Sequence, residues 1–161
     1  IALGGSLDVI PHTVPPKISG VVNLSSETDE LKERAIELTS YQGPSSIYSL
    51  LMVEAARQNI PMVSLWVHTP HYLQVTNFMG CYHLMLKLGE LLGLNIDLDV
   101  AKKDSEYLFQ QIDLAIKQKP ELQEYVKTLE SEFHKGSKPR ENPINKNIIK
   151  EIEGLFKDNT A

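Results

Sequence analysis

Cysteine is nearly missing: the chain of 161 residues holds one, Cys81. A lone thiol excludes an intrachain disulfide framework and any multi-cysteine zinc site, and it suits a reducing compartment, by default the cytoplasm. Basic charge is short as well. Sixteen Lys and Arg face 21 Asp and Glu, a net charge of −5, so no general field draws the chain to nucleic acid or to an anionic membrane. There is no apolar run of the length that a membrane span or a signal peptide needs. The Gly-Lys-Ser/Thr ending of a P-loop and the G-x-G-x-x-G pattern are both lacking, which leaves nucleotide binding by either motif without support. No internal repeat or low-complexity tract is visible. What remains, 42% hydrophobic and 23% charged, is the mix of one globular domain, or of a domain with a small appendage.

Charge density divides the chain. Residues 1–99 carry 10 acidic and 5 basic side chains, whereas residues 100–161 carry 11 of each. The first part is expected to hold a sheet as a partial α/β domain, and the second to be charge-laced helix. Residues 100–134 read as a helical extension, 135–144 (around KGSKPRENP) as a linker, and 145–161 as a C-terminal amphipathic helix with Ile148, Ile149, Ile152 and Leu155. The opening IALGG, apolar and without Met, reads as a start inside a domain, since true termini are usually polar.

Within the first part, Ile1–Leu3 and Ile18–Leu24 read as strands, and the Gly- and Pro-rich GGSLDVIPHTVPP between them as irregular. Ser26 with Asp29 three residues on resembles a capping box. It opens a helix with the stripe Leu31, Ala35, Leu38, predicted to end near Ser40. YQGPSSI is a turn, with Pro44 suited to a first helical position, and Ile47, Leu50, Leu51 and Ala55 mark one face of a helix running to about Gln58. Pro61–Val67 is nearly all apolar, as expected of a central parallel strand covered on both faces. Asn77 caps a further helix carrying Cys81, Leu84, Leu88 and Leu91, stopped by Gly93. Such alternation implies an α/β layer with crossover connections. In the second part, Leu108, Ile112, Ala115, Leu122, Val126, Leu129 and Phe133 step by threes and fours across Pro120. Proline costs about 3 kcal/mol inside a helix and is welcome at its start. A hairpin of two helices is therefore favoured over one long kinked helix.

Three histidines punctuate the α/β part: His12 in DVIPHT, and His68 and His71 in VHTPHY. Each group follows a predicted strand, so both loops belong at the carboxyl ends of parallel strands, where open sheets bind ligands. With Asp8 nearby they have the groups for a divalent metal, or for a general base and its orienting carboxylate. The His68/His71 spacing matches no helical metal-ligand pattern, however, and loop histidines commonly donate to backbone carbonyls. No metal and no cofactor is expected. GPSS at residues 43–46 sets hydroxyls and free backbone N–H groups at a helix start, the ingredients of an anion site and equally of an ordinary N-cap. Cys81, on a predicted inward helix face, suits packing better than catalysis.

LGGSLDVIPHT, ISG, YQGPSSI, VSLWVHTPHY, LGELLGLNIDLD and ELQEYVKTLE, in that order over about residues 1–132, resemble the prokaryotic branch of the proteasome assembly chaperone family and, of the two eukaryotic chaperone subunits, the second. The resemblance implies a three-layer α/β/α domain with a mainly parallel sheet, similar to purine nucleoside phosphorylases, plus a helical extension. It implies further strands and helices upstream of Ile1. A short sheet would expose an edge that another segment or another protomer should cover. Only His12 and His71 match the family pattern; at His68 the family usually has a small residue. Some relatives end in a hydrophobic residue, a tyrosine and any residue, a tail that docks into proteasome pockets, whereas this chain ends Asp158, Asn159, Thr160, Ala161. The expectation is a non-enzymatic, self-associating protein-interaction or assembly factor, a homo-oligomer of the cytoplasm. The alternative is a phosphate- or nucleoside-binding protein or enzyme whose site at the strand ends comprises His12, Thr13, Gly43, Ser45, Ser46, His71 and Tyr72.

Overall fold

The computed structural model describes residues 1–24, 26, 28–39, 46–73 and 76–135. Its strands are β1 (Ala2–Asp8), β2 (Ile18–Val22), β3 (Glu37–Leu38) and β4 (Val63–Pro70); its helices are α1 (Thr28–Glu33), α2 (Ile47–Arg57), α3 (Phe78–Leu92), α4 (Asp99–Lys117) and α5 (Pro120–His134). The strands form one sheet in the order β1-β4-β2-β3. The Trp66 strand is central as expected, but its two pairings differ: β1 runs parallel to it and β2 antiparallel. The sheet is mainly parallel, since β2 and β3 also pair in that sense.

Side chains alternate across this sheet with the two-residue period of a strand. On one face Ile18, Leu65 and Val67 join Leu31 of α1, Ile36 and Leu84 of α3 in an apolar core. The other face carries Ser6, Ser19, Ser64, Trp66 and His68 and lies beneath α2, whose Tyr48, Ser49 and Met52 look onto it. Helices thus cover both faces, giving a three-layer α/β/α arrangement.

Two element boundaries differ from expectation. β1 does not stop at Leu3 but pairs with β4 through Asp8, Ala2 opposite Ser64 and Asp8 opposite Pro70. The glycines that argued against a strand are what permit it. A Cβ on Gly4 would lie 2.8 Å from the Trp66 ring, so only a residue without a side chain lets the indole lie across β1. The helix expected up to Ser40 ends at Glu33. Leu31 and Ile36 are both buried, 1% and 2% exposed, yet a five-residue step turns them about 140° apart on a helix. Ala35 instead takes a left-handed φ of 54°, and the chain re-enters the sheet as the edge strand β3 beside Ser19 and Gly20.

The other boundaries follow local chemistry. Asn77 accepts a hydrogen bond from the Gly80 N–H at 2.9 Å and caps α3, and Gly93, at φ 62°, ends it. Pro120 opens α5, so α4 and α5 are a hairpin. Ile112, Ile116, Leu122, Val126 and Leu129 of that hairpin form a second core with Tyr72 and Leu73, which docks the helices against the end of the sheet. Cys81 is exposed, not inward; the buried line of α3 is Gly80, Leu84 and Gly89, one residue out of phase with the cysteine. Pro44 and the expected linker and C-terminal helix lie outside the described residues.

Candidate functional site

Because β1 and β4 are parallel, the segments that follow them leave the sheet at one rim. There the Tyr72 hydroxyl accepts from the His12 backbone N–H at 2.6 Å and meets His12 Nδ1 at 2.8 Å. With one proton and two lone pairs the phenol oxygen serves this second contact for either tautomer of a neutral imidazole. Burial drives its pKa down to about 4, against weaker opposite pulls from Asp113 and Glu130. Burial likewise raises the Tyr72 phenol above its ordinary value. His12 Nε2 is buried with no hydrogen-bond partner among the described residues.

His71 stands alongside. Its Nδ1 donates to the Asp8 carbonyl at 3.1 Å, its backbone N–H donates to the same oxygen at 2.9 Å, and its Nε2 accepts from Tyr125 of α5 at 3.0 Å. Thr13 donates to Glu130 of α5 at 2.5 Å. His12, Thr13, His71 and Tyr72 therefore come together in a polar network that ties the rim to the helical hairpin. Ser46 lies elsewhere: it precedes α2 without a side-chain capping bond and borders a cavity on the sheet face. Gly43 and Ser45 lie outside the described residues.

His68 departs from its expected place in a loop. It belongs to β4, opposite Ser6 of β1, and its side chain lies on the sheet face beneath α2. Its Nδ1 donates to Asp8 Oδ2 at 2.8 Å, and its Nε2 accepts from the Ser19 hydroxyl at 2.9 Å. The other Asp8 oxygen accepts from the Val9 N–H at 2.7 Å. The His68 hydrogen bond is the largest influence on Asp8 and holds its carboxyl below the ordinary value, burial working the other way. Beside this trio opens a cavity of about 410 Å³ lined by Ser6, Ser19, Ser46, Tyr48, Trp66 and His68, among others. A smaller one of about 20 Å³ at the rim is lined by His12, His68 and Asn77, with apolar neighbours. Sequence reasoning reaches Asp8 and His68 but misses Ser19, which sits inside an apolar strand and carries no motif. Among the described residues no three His, Cys, Asp or Glu side chains are grouped to hold a metal ion.

A mainly parallel sheet, helices on both faces and a helical hairpin at the strand ends define an α/β/α protein whose polar residues gather at one rim and on one sheet face. The PAC2 family model matches residues 1–116, and the chain belongs to that family. A PAC2 family protein of Streptomyces avermitilis is 32% identical over 77% of this chain and 51% of its own, with a TM-score of 0.63. A proteasome-assembly chaperone homologue of Mycobacterium tuberculosis is 26% identical over 77% of this chain and 52% of its own, TM-score 0.64. A Corynebacterium glutamicum protein of unknown function, 23% identical, shares the fold at TM-score 0.75 over 83% of this chain and 49% of its own. The chain thus spans about half the length of each. Among curated proteins none matches it.

Proposed function

We propose that this chain is a protein-interaction or assembly factor of the chaperone type, and that it associates with copies of itself. The observation that carries the reading is apolar surface displayed outward. In α2 only Met52 is buried, while Ile47, Leu50, Leu51 and Val53 are exposed, Leu50 by 64%. The face that the sequence marked as apolar therefore points away from the sheet. β1 is the outermost strand beside β4, and it adds exposed Leu3 and Leu7 along an edge that no other strand pairs among the described residues. Unpaired strand edges and contiguous apolar patches are where proteins find partners. Family membership and the likeness to the proteasome-assembly chaperone homologue of Mycobacterium tuberculosis support the chaperone-like role. Net charge of −5 and a single cysteine support a cytoplasmic protein without nucleic-acid or membrane partners. Among the described residues no helix is long and apolar enough to cross a membrane. Size-exclusion chromatography with light scattering tests the reading. A dimer or larger species is expected, and a strict monomer over a wide concentration range overturns it.

A second reading is favoured by one observation, the hydroxyl-lined cavity that Ser46 borders. On that reading the chain binds phosphate or a nucleoside in the sheet-face cavity, through Ser46 and its neighbours Tyr48 and Ser49, apart from the rim that holds His12, Thr13, His71 and Tyr72. Titration calorimetry with inorganic phosphate and with nucleosides decides it: saturable heat lost in Ser46→Ala supports this reading, and none overturns it.

A further inference from the structure

We propose that Ser19 is a nucleophile that accepts acyl groups from small uncharged esters or thioesters, with His68 as its base and Asp8 as the residue that positions His68. The three side chains come from three adjacent strands, β1, β4 and β2, and meet on one face of the sheet. The chain of contacts is continuous, Asp8 Oδ2 to His68 Nδ1 at 2.8 Å and His68 Nε2 to Ser19 Oγ at 2.9 Å. With Nδ1–H committed to a carboxylate, Nε2 is left as the acceptor that a general base requires, and the serine hydroxyl points its proton at it. Asp8 is itself fixed by the Val9 N–H. All of this rests on paired strands, so little reorganisation is needed to keep the geometry.

The surroundings suit acyl chemistry. Ser19 is 7% exposed yet borders the cavity of about 410 Å³, as His68 does. Val21, Met52, Tyr48 and Trp66 supply its apolar wall, while Ser6, Ser46, Ser49 and Ser64 line it with hydroxyls of the kind that donate to a developing oxyanion. The Asp8 carboxylate next to His68 disfavours an anionic substrate.

The reaction balances within these groups and water. Ser19 Oγ bonds to the acyl carbon while its proton passes to His68 Nε2. The bond from that carbon to the leaving oxygen or sulfur breaks, and His68 hands the proton to the departing alcohol or thiol. Water then attacks the acyl-serine, giving a proton to His68, which returns it to Ser19 Oγ as the carboxylic acid leaves.

The test uses the chain as it stands, with p-nitrophenyl acetate as substrate and a fluorophosphonate as trapping probe. The expected result is one phosphonyl group per chain, mapped to Ser19 by peptide mass spectrometry, and release of p-nitrophenolate above the buffer rate. Ser19→Ala and His68→Gln should abolish that excess, and Asp8→Asn should lower it by about a hundredfold or more. Asp8→Asn should also move the pH profile of ester cleavage, which an aspartate with a purely structural role would leave in place. An adduct on any other residue, no adduct at all, or ester cleavage unchanged in folded Ser19→Ala overturns the proposal. Should the alanine variant not fold, Ser19→Cys preserves the volume, and the wild-type adduct map decides by itself.

Discussion

The hydroxyl of Tyr72 satisfies two separate groups of His12, its backbone N–H at 2.6 Å and its ring Nδ1 at 2.8 Å, from 60 residues away. Both residues are buried, Tyr72 completely. One oxygen thus fastens the segment after β1 to the segment after β4, and the tyrosine ring at the same time anchors the core of the helical hairpin.

Tyr72→Phe keeps that ring and removes only the oxygen. It leaves two buried polar groups unpaired, and each such group costs about 1–3 kcal/mol. The variant is expected to lose about 2–4 kcal/mol in urea unfolding, seen as a lower midpoint with an unchanged slope. A loss below about 0.5 kcal/mol would show that His12 finds other partners.

His12 also sets a pH dependence. Its imidazole is held neutral, with a pKa of about 4 against 6.5 in an unfolded chain. Between those values the unfolded state binds the proton and the folded state does not, so stability falls as pH drops from about 6.5 toward about 4. The shift corresponds to a loss on the order of 3 kcal/mol. Asp8, with its pKa depressed chiefly by the His68 hydrogen bond, acts in a lower window: it stabilises above its unfolded value near 3.8 and ceases to as pH falls through the folded one. Urea midpoints taken at pH 7, 5 and 4 should decline progressively, and His12→Gln should flatten the upper part of that decline.

The elements legible in the sequence are those fixed by neighbours in the chain. Asn77, Gly93 and Pro120 bound their helices through backbone chemistry within a few residues, and the apolar run around Trp66 declares a covered strand. What is illegible depends on lateral neighbours. Nothing in the spacing of Asp8, Ser19 and His68 reveals that β1, β4 and β2 lie side by side, and His-Thr-Pro after Val67 reads as a loop until β1 is seen to extend the ladder to Pro70. Ile36 is buried where a helix would have exposed it, so tertiary packing overrides a plausible helical stripe. Cys81 departs from its expected inward place because the buried line of α3 runs through Gly80 and Gly89, residues with no hydropathy to mark them. Of the candidate site, the rim histidines are legible because they follow strands. Ser19 is not, because a serine in an apolar strand looks like an ordinary polar interruption.

Gly4 should tolerate no side chain while Trp66 is in place. A Cβ there would stand 2.8 Å from the indole, and overpacking of this kind costs about 1–3 kcal/mol. Gly4→Ala is expected to lose about that much, whereas in a Trp66→Leu background the same change should cost little. The coupling measured by this double-mutant cycle would be zero if the strand simply shifted to make room. Trp66 is the one tryptophan of the chain, so its fluorescence maximum in Gly4→Ala reports directly whether the ring has been displaced toward solvent.

Leu50 separates folding from association. It is 64% exposed on α2, so Leu50→Glu removes little buried area and should change stability by no more than about 0.5 kcal/mol. If the outward face of α2 joins copies of the chain, the same substitution sets an unpaired carboxylate in an apolar contact, which costs far more there than on a free surface. Sedimentation velocity should then show the association weakened by at least about tenfold at an unchanged urea midpoint. Leu7→Lys, on the outer edge of β1 and 66% exposed, makes the complementary test, because edge lysines oppose strand pairing. If Leu50→Glu dissociates the assembly and Leu7→Lys does not, the contact runs through the helix; the reverse result assigns it to the strand edge. Association untouched by both substitutions would remove the surface basis for the proposed assembly role.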